Sequence, residues 1–211
     1  MGKTYPIDPQ SAKICTIGGT IATNAAGSHG LRYGSTKNHI KNLTVVLSNG
    51  DAAVLNPNER ENRLTPDARS RFLSAKDILA RNHDIIKNHT PAVEKYSSGY
   101  NVFESLHDDN FDATRLICGS EGTLAIVTEA TMNVCPLPKA IAAAVAYFNS
   151  YNDTAEAIPI VRNFSPAAIE LLDKSYTDVG VGLSTTSDRF FVRYFQTMLL
   201  IEFEGEDNDS I

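Results

Sequence analysis

The chain has 211 residues, 42% hydrophobic and 21% charged, which marks a globular protein with room for one large domain or two small ones. A net charge of −6 and the lack of a basic cluster argue against non-specific binding to nucleic acid or to an anionic membrane surface. The apolar stretches are short and interrupted, so no membrane span is expected, and the start of the chain shows neither a leader pattern nor, with Pro6 at position 6, a myristoylation signal.

Residues 1–14, with Pro6 and Pro9, read as an extended arm. The run from Cys15 to Gly27 follows, with Gly18 and Gly19 adjacent and small residues after them. It predicts a short helix over Gly18–Ala25. N–H groups at a helix start lack intrahelical partners and carry partial positive charge, so such a start suits a phosphate or pyrophosphate. A tight turn into a close-packed helix fits the same residues equally well. Gly27–Gly34, with three glycines, reads as a loop.

Leu43–Leu47 is a β-branched apolar run, and Ala52–Leu55 returns after Ser48-Asn49-Gly50-Asp51, a two-residue hairpin signal. Residues 56–66 read as a polar loop. Thr65-Pro66-Asp67 then opens a helical region carrying Phe72, Leu73, Ile78, Leu79, Ile85 and Ile86 to about residue 88, ended by Pro91. His83 and His89 lie six apart, whereas a shared face needs three or four, so both read as surface residues.

Ser97–Asn101 is a loop, Leu116-Ile117-Cys118 a short apolar run, Gly119–Thr123 a turn and Leu124–Val134 a buried strand. Pro136 and Pro138 end that strand and suggest a domain boundary, giving domains 1–138 and 139–211. Beyond it, Ala140–Phe148 reads as a strand and Thr154–Val161 as a helix interrupted at Pro159. Ser165–Asp173 reads as a helix with Ser165 at the N-cap and Pro166 in the first turn, and Thr197–Glu204 as a strand. The class is α+β.

Cys15, Cys118 and Cys135 are widely spaced, with no Cys-x-x-Cys pair and no histidine at metal-ligand spacing. Reduced thiols in a cytoplasmic protein and no metal site are the expectation. The turn Gly119-Ser120-Glu121-Gly122-Thr123 feeds a strand directly, and its glycines let a flat ring, a phosphate or another backbone approach closely.

Several of these stretches in order resemble a known family. Asp8-Pro9, Cys15–Gly19, Thr23–Gly27, Arg32–Thr36 and Gly119–Leu124, with the Asn49-Gly50 hairpin between them, resemble the FAD-linked oxidases of the vanillyl-alcohol oxidase superfamily. The nearest branch is that of glycolate oxidase, D-lactate dehydrogenase and D-2-hydroxyglutarate dehydrogenase. Ser98–Asn101 with Ala113–Leu116 is similar to the long members that carry an iron–sulfur part.

The resemblance implies the second half of a PCMH-type FAD-binding domain followed by the start of an α+β cap domain. It implies FAD contacts from Pro9, Gln10, Ser11, Cys15, Thr16, Gly18 and Gly19. A second contact segment is Thr23, Asn24, Ala25, Ala26 and Gly27. A third is Glu121, Gly122, Thr123, Leu124, Ile126 and Val127. Backbone groups bounded by glycine satisfy pyrophosphate oxygens without a basic residue. Ala125 departs from the commoner glycine, and the family's first pyrophosphate loop and later His- and Glu-bearing segment find no counterpart, so the chain reads as an internal piece.

The function expected is FAD-dependent oxidation of a small 2-hydroxy acid by hydride transfer to flavin. No catalytic base is assigned, although His29, Tyr100 and Asn101 lie in segments able to approach flavin or substrate. The alternative is a catalytically incomplete remnant or split subunit that binds FAD only with a partner chain. A cell-wall enolpyruvyl reductase is less favoured, because Ser98–Asn101 follows the 2-hydroxyacid pattern.

Overall fold

The computed structural model describes residues 2–93, 95–183 and 195–207. In chain order these form β1 (Lys3–Thr4), α1 (Ile17–Ala22), α2 (Gly30–Tyr33), β2 (Ile40–Val46), β3 (Ala52–Leu55), α3 (Pro66–Arg81) and α4 (His83–Asn88). Then come β4 (Leu106–His107), β5 (Asn110–Phe111), α5 (Ala113–Ile117), β6 (Ile126–Met132), β7 (Cys135–Pro136), β8 (Ala140–Phe148), α6 (Tyr151–Arg162), β9 (Ala168–Asp173), α7 (Lys174–Leu183) and β10 (Thr197–Gly205). Helices are interspersed with strands, and the ladders of β3-β2-β6, β8-β10-β9 and β4-β5 are all antiparallel, an α+β arrangement. Two compact units result, one mainly Lys3–Gly27 with Gly34–Cys135, the other mainly Ser28–Tyr33 with Pro136 onward.

The first unit is built on the sheet β3-β2-β6. Leu43 pairs with Leu55 and Val46 with Ala52, so the hairpin forms as expected. Its loop is longer than the two residues predicted. Leu47 N–H bonds Asp51 O and Gly50 N–H bonds Leu47 O, leaving Ser48–Gly50 as the loop, with Gly50 at φ 87°. That is the three-residue hairpin in which glycine takes the left-handed position.

From α3, Ala68, Phe72 and Leu79, at near-helical spacing, join the buried core that also holds Leu43, Val45, Leu55, Phe111 and Ile117, with the Phe72 and Phe111 rings 6.4 Å apart. Thr65 caps α3 by accepting from Ala68 N–H at 3.1 Å, and Pro66 fills the first helical position. The single helical region expected to residue 88 becomes two helices, broken at Asn82. His83 and His89 are exposed, as expected. The strand β6 is not the buried one predicted: it lies at the sheet edge, and Ile126 is 65% exposed.

The second unit holds the sheet β8-β10-β9, with Ile201 opposite both Ala144 and Ile169. One face of the central strand, Thr197, Leu199 and Ile201, is buried, and Thr154 of α6 hydrogen-bonds Thr197 there. The helix α6 begins at Tyr151, because Ser150 accepts from Asp153 N–H at 3.1 Å, and it runs through Pro159 rather than breaking there. The segment Ser28–Tyr33 also belongs to this unit, and part of the loop expected over Gly27–Gly34 is the short helix α2.

The helix predicted over Ser165–Asp173 is instead strand β9. Ser165 sits at φ 52°, whereas an N-cap needs extended backbone. The ladder offered by β10 decides the outcome, with Ala167 N–H already bonded to Glu202 O at 2.7 Å. Tertiary pairing here outweighs a local cap signal.

Leu43 has no exposed surface, and Leu73 on the outer face of α3 is 57% exposed. Leu43→Ala is expected to lower unfolding free energy by about 2–5 kcal/mol. Leu73→Ala should change it by less than about 0.5 kcal/mol. Urea denaturation of both variants checks the contrast.

Candidate functional site

The helix α1 is six residues long, starting at Ile17 and ending earlier than predicted, at Ala22. Thr16 caps it, its hydroxyl accepting from Gly19 N–H at 3.0 Å. One of the free N–H groups expected at this helix start is therefore already satisfied within the chain. Two residues after the helix, Asn24 turns into the left-handed region at φ 47°, a conformation that asparagine tolerates better than most residues.

That turn joins the second and third contact segments. Gly119 N–H bonds Ile21 O and Glu121 N–H bonds Ala22 O, both at 2.9 Å. Asn24 is buried, and its Oδ1 accepts from Lys37 N–H at 3.1 Å and from the Cys118 thiol at 3.6 Å. Gly119 takes φ 87°, and a Cβ there would lie 3.3 Å from Asn24 Cβ. Glycine is thus needed at 119 for both conformation and space.

The first contact segment is brought alongside. A Cβ on Gly27 would lie 2.0 Å from Asp8 Oδ1 and 2.1 Å from Asp8 O, so no side chain fits at 27 while Asp8 lies against it. Pro9–Cys15 forms tight turns, with Ala12 N–H on Pro9 O at 2.7 Å and Cys15 N–H on Ser11 O at 2.9 Å. Tyr100 OH meets Thr123 Oγ1 at 2.8 Å, which ties the Ser98–Asn101 loop to the third segment.

The candidate residues differ in exposure. Gln10, Ser11, Thr16, Gly18, Gly19, Thr23, Glu121, Gly122 and Thr123 are exposed. Pro9, Cys15, Ala25, Ala26, Gly27 and Leu124 are half-buried, and Asn24 is a buried pin rather than a surface donor. Ile126 and Val127 lie on the β6 ladder opposite Val46 and Val45. The outcome is a polar surface of small residues and backbone, with no lysine or arginine among the candidates.

Behind that surface lies a charged network that sequence reading missed. Lys37 is buried, its Nζ 2.8 Å from Glu104 Oε1 and 4.5 Å from the centre of the Tyr96 ring. Asn101, expected to approach a ligand, is buried within it: Tyr96 OH donates to its Oδ1 at 2.8 Å, and its Nδ2 donates to Glu104 at 3.3 Å. Burial pushes the Glu104 carboxyl up, but the Lys37 hydrogen bond and charge, with Asn101 and Arg115, hold it below the usual range. Burial, reinforced by Glu104, raises the Tyr96 phenol to about 12. His29, another of the three residues expected to approach a ligand, lies in the second unit against Glu202.

Residues 1–56 match the family described as FAD binding domain, and residues 137–211 match FAD linked oxidases, C-terminal domain. The D-2-hydroxyglutarate dehydrogenase of Pantoea ananatis is 32% identical over 165 residues, covering 75% of this chain and 16% of that protein. The glycolate oxidase subunit GlcD of Bacillus subtilis is 32% identical, covering 97% of this chain and 34% of that protein. The D-lactate dehydrogenase of Anaerostipes hadrus is 29% identical, with 100% and 36% covered. The chain therefore spans about a third or less of the length of these relatives. A solved alkyldihydroxyacetonephosphate synthase shares the fold, with a TM-score of 0.60, 20% identity, and coverage of 97% of this chain and 31% of that one.

Asn24→Ala is expected to cost about 2–3 kcal/mol, because it strains a left-handed backbone and leaves Lys37 N–H unpaired. Asn24→Gly should cost less, since glycine takes this conformation freely. Urea unfolding of the two variants reads the difference. Burial raises the Cys118 thiol to about 12, whereas Cys15 and Cys135 are half-buried. A disulfide reagent at neutral pH should label two thiols quickly and the third only on unfolding, and equal reactivity of all three would contradict the buried position.

Proposed function

The chain belongs to the FAD-linked oxidases, and from that premise we propose that it carries one wall of the flavin site of an oxidoreductase acting on small 2-hydroxy acids. FAD is the cofactor of this family. The observation that carries the proposal is that the segment leaving α1 meets both others, Gly27 lying against Asp8, and Ile21, Ala22 and Asn24 against Gly119 and Glu121.

The residues present suit that cofactor. A Cβ built on Gly18 or on Gly122 would meet nothing within 4 Å, so both backbones face open space that a ligand can enter. A flat ring or a pyrophosphate held by backbone groups needs neither a basic side chain nor a deep pocket in this wall. When bound, FAD supplies the hydride acceptor for the substrate α-carbon, leaving a 2-oxo acid once the hydroxyl proton departs.

The chain's own residues position and exclude. Thr16, Gly18, Thr23 and Gly122 offer an exposed backbone-rich surface. Asn24, buried and bonded on two sides, holds two of the contact segments in register, and Tyr100 holds the Ser98–Asn101 loop against Thr123. None of these is assigned as the base. In this reading residues 1–138 are a partial FAD-binding domain and 139–211 the opening of a cap domain, although Ser28–Tyr33 groups with the second unit. Three free thiols suit the reducing cytoplasm, where we place the enzyme. Among the described residues no helix is long and apolar enough to cross a membrane.

The exposed β6 edge, with Ile126 65% exposed, favours a second reading in which a partner chain covers this edge and completes the site.

Gly18→Ala separates cofactor contact from folding. Alanine is the better helix former by about 1 kcal/mol, and its methyl group meets no protein atom within 4 Å, so stability should hold or rise. FAD affinity, read by quenching of flavin fluorescence, should fall about tenfold. Equal uptake by variant and wild type would remove Gly18 from the site. A wild-type chain that takes up no FAD alone would favour the partner-chain reading.

A further inference from the structure

The strand period of two places Glu202 and Glu204 on the same face of β10, opposite the buried face formed by Leu199 and Ile201. The segment Ser28–Tyr33 supplies the third group. His29 Nε2 is 2.5 Å from Glu202 Oε1 and 3.8 Å from Glu204 Oε1. One donor atom from each of the three residues lies within 4.8 Å of the other two. All three belong to the second unit, so the cluster they form does not depend on the flavin reading.

We propose that His29, Glu202 and Glu204 form a binding site for a divalent transition cation of the zinc type. One imidazole and two carboxylates are a donor set suited to such an ion. Ligands bonded to a tetrahedral ion at about 2.0–2.1 Å stand ~3.4 Å apart, and the two His29 distances fall on either side of that spacing. A modest turn of the Glu202 carboxylate opens the shorter one.

The support around the donors is specific. The Glu204 side chain is 7% exposed. Tyr33 OH donates to its Oε2 at 2.5 Å, and Arg32 Nε lies 3.6 Å from the same oxygen. Arg32 Nη1 also donates to Glu204 O at 3.1 Å. These contacts hold Oε2 and leave Oε1 turned toward His29. Hydrogen bonds of this kind to a ligating carboxylate fix its orientation at metal sites. Arg32 offsets part of the Glu204 charge, and a divalent ion between the two neighbouring carboxylates neutralises the remainder. The three donors occupy positions 29, 202 and 204, which is why a search for ligand spacing along the sequence passes over them.

The competing arrangement is an imidazolium that bridges the carboxylates with no ion. Titrating the chelator-stripped chain with Zn²⁺ by calorimetry, and with Co²⁺ by visible absorption, separates the two. One equivalent of Zn²⁺ should bind, and Co²⁺ should show the absorption bands of a low-coordinate nitrogen and oxygen site. His29→Gln and Glu202→Gln should each weaken Zn²⁺ by more than about 100-fold, and Tyr33→Phe, a positioning change, by about 10- to 100-fold. Circular dichroism confirms that each variant is folded. No stoichiometric uptake by the wild-type chain, or unchanged uptake by His29→Gln and Glu202→Gln, overturns the site. Since the wild-type titration is decisive by itself, a variant that fails to fold does not rescue the proposal.

Discussion

Asn24 is the residue on which the candidate surface depends. It adopts a left-handed backbone, is almost wholly buried, and accepts hydrogen bonds from Lys37 N–H and the Cys118 thiol. Its Cβ lies so near Gly119 that a larger residue at 119 would crowd it. One side chain therefore sets the path out of α1, the entry into the 310 turn that follows Ser35, and the approach of the Gly119–Thr123 turn. Without that pin the carbonyls of Ile21 and Ala22 would lose the backbone partners they find in Gly119 and Glu121.

Behind the pin, the fold places charge where it supports rather than binds. Lys37 is committed to Glu104 and the Tyr96 ring, and Asn101 to Tyr96 and Glu104. A buried amine needs such partners, because desolvation would otherwise expel its charge. The surface in front is left to backbone groups and hydroxyls. This division suits a large, planar, phosphate-bearing cofactor: rigidity comes from the network, and close approach comes from glycine.

Local chemistry made some of the structure legible in the sequence. The hairpin at Asn49-Gly50, the Thr65-Pro66 helix start and the long strand over Thr197–Glu204 each carry their own signal within a few residues. The strand Ala168–Asp173 does not. Its local residues favour a capped helix, and only the ladder offered by β10 reveals the strand. Likewise, the exposure of β6 follows from its position at a sheet edge, which alternation of residue types cannot show. The glycine-rich segments stood out as candidates, but the roles within them did not. Asn24 reads from sequence as a ligand contact, and nothing in the sequence shows that its side chain also fastens Lys37 and Cys118. The meeting of His29 with Glu202 and Glu204 joins residues with no sequence proximity, and so left no local trace.

The central claim is that three separated segments form one cofactor-facing wall. Its most direct test is to follow the backbone amide resonances of the isotopically labelled chain as FAD is added. The account predicts shifts concentrated at Asp8–Ser11, at Thr16–Gly27 and at Gly119–Leu124, with Leu43 and Ile201 in the two cores unmoved. Perturbations confined to other residues, or a spectrum unchanged by FAD both alone and in the presence of any chain that completes the site, would contradict it.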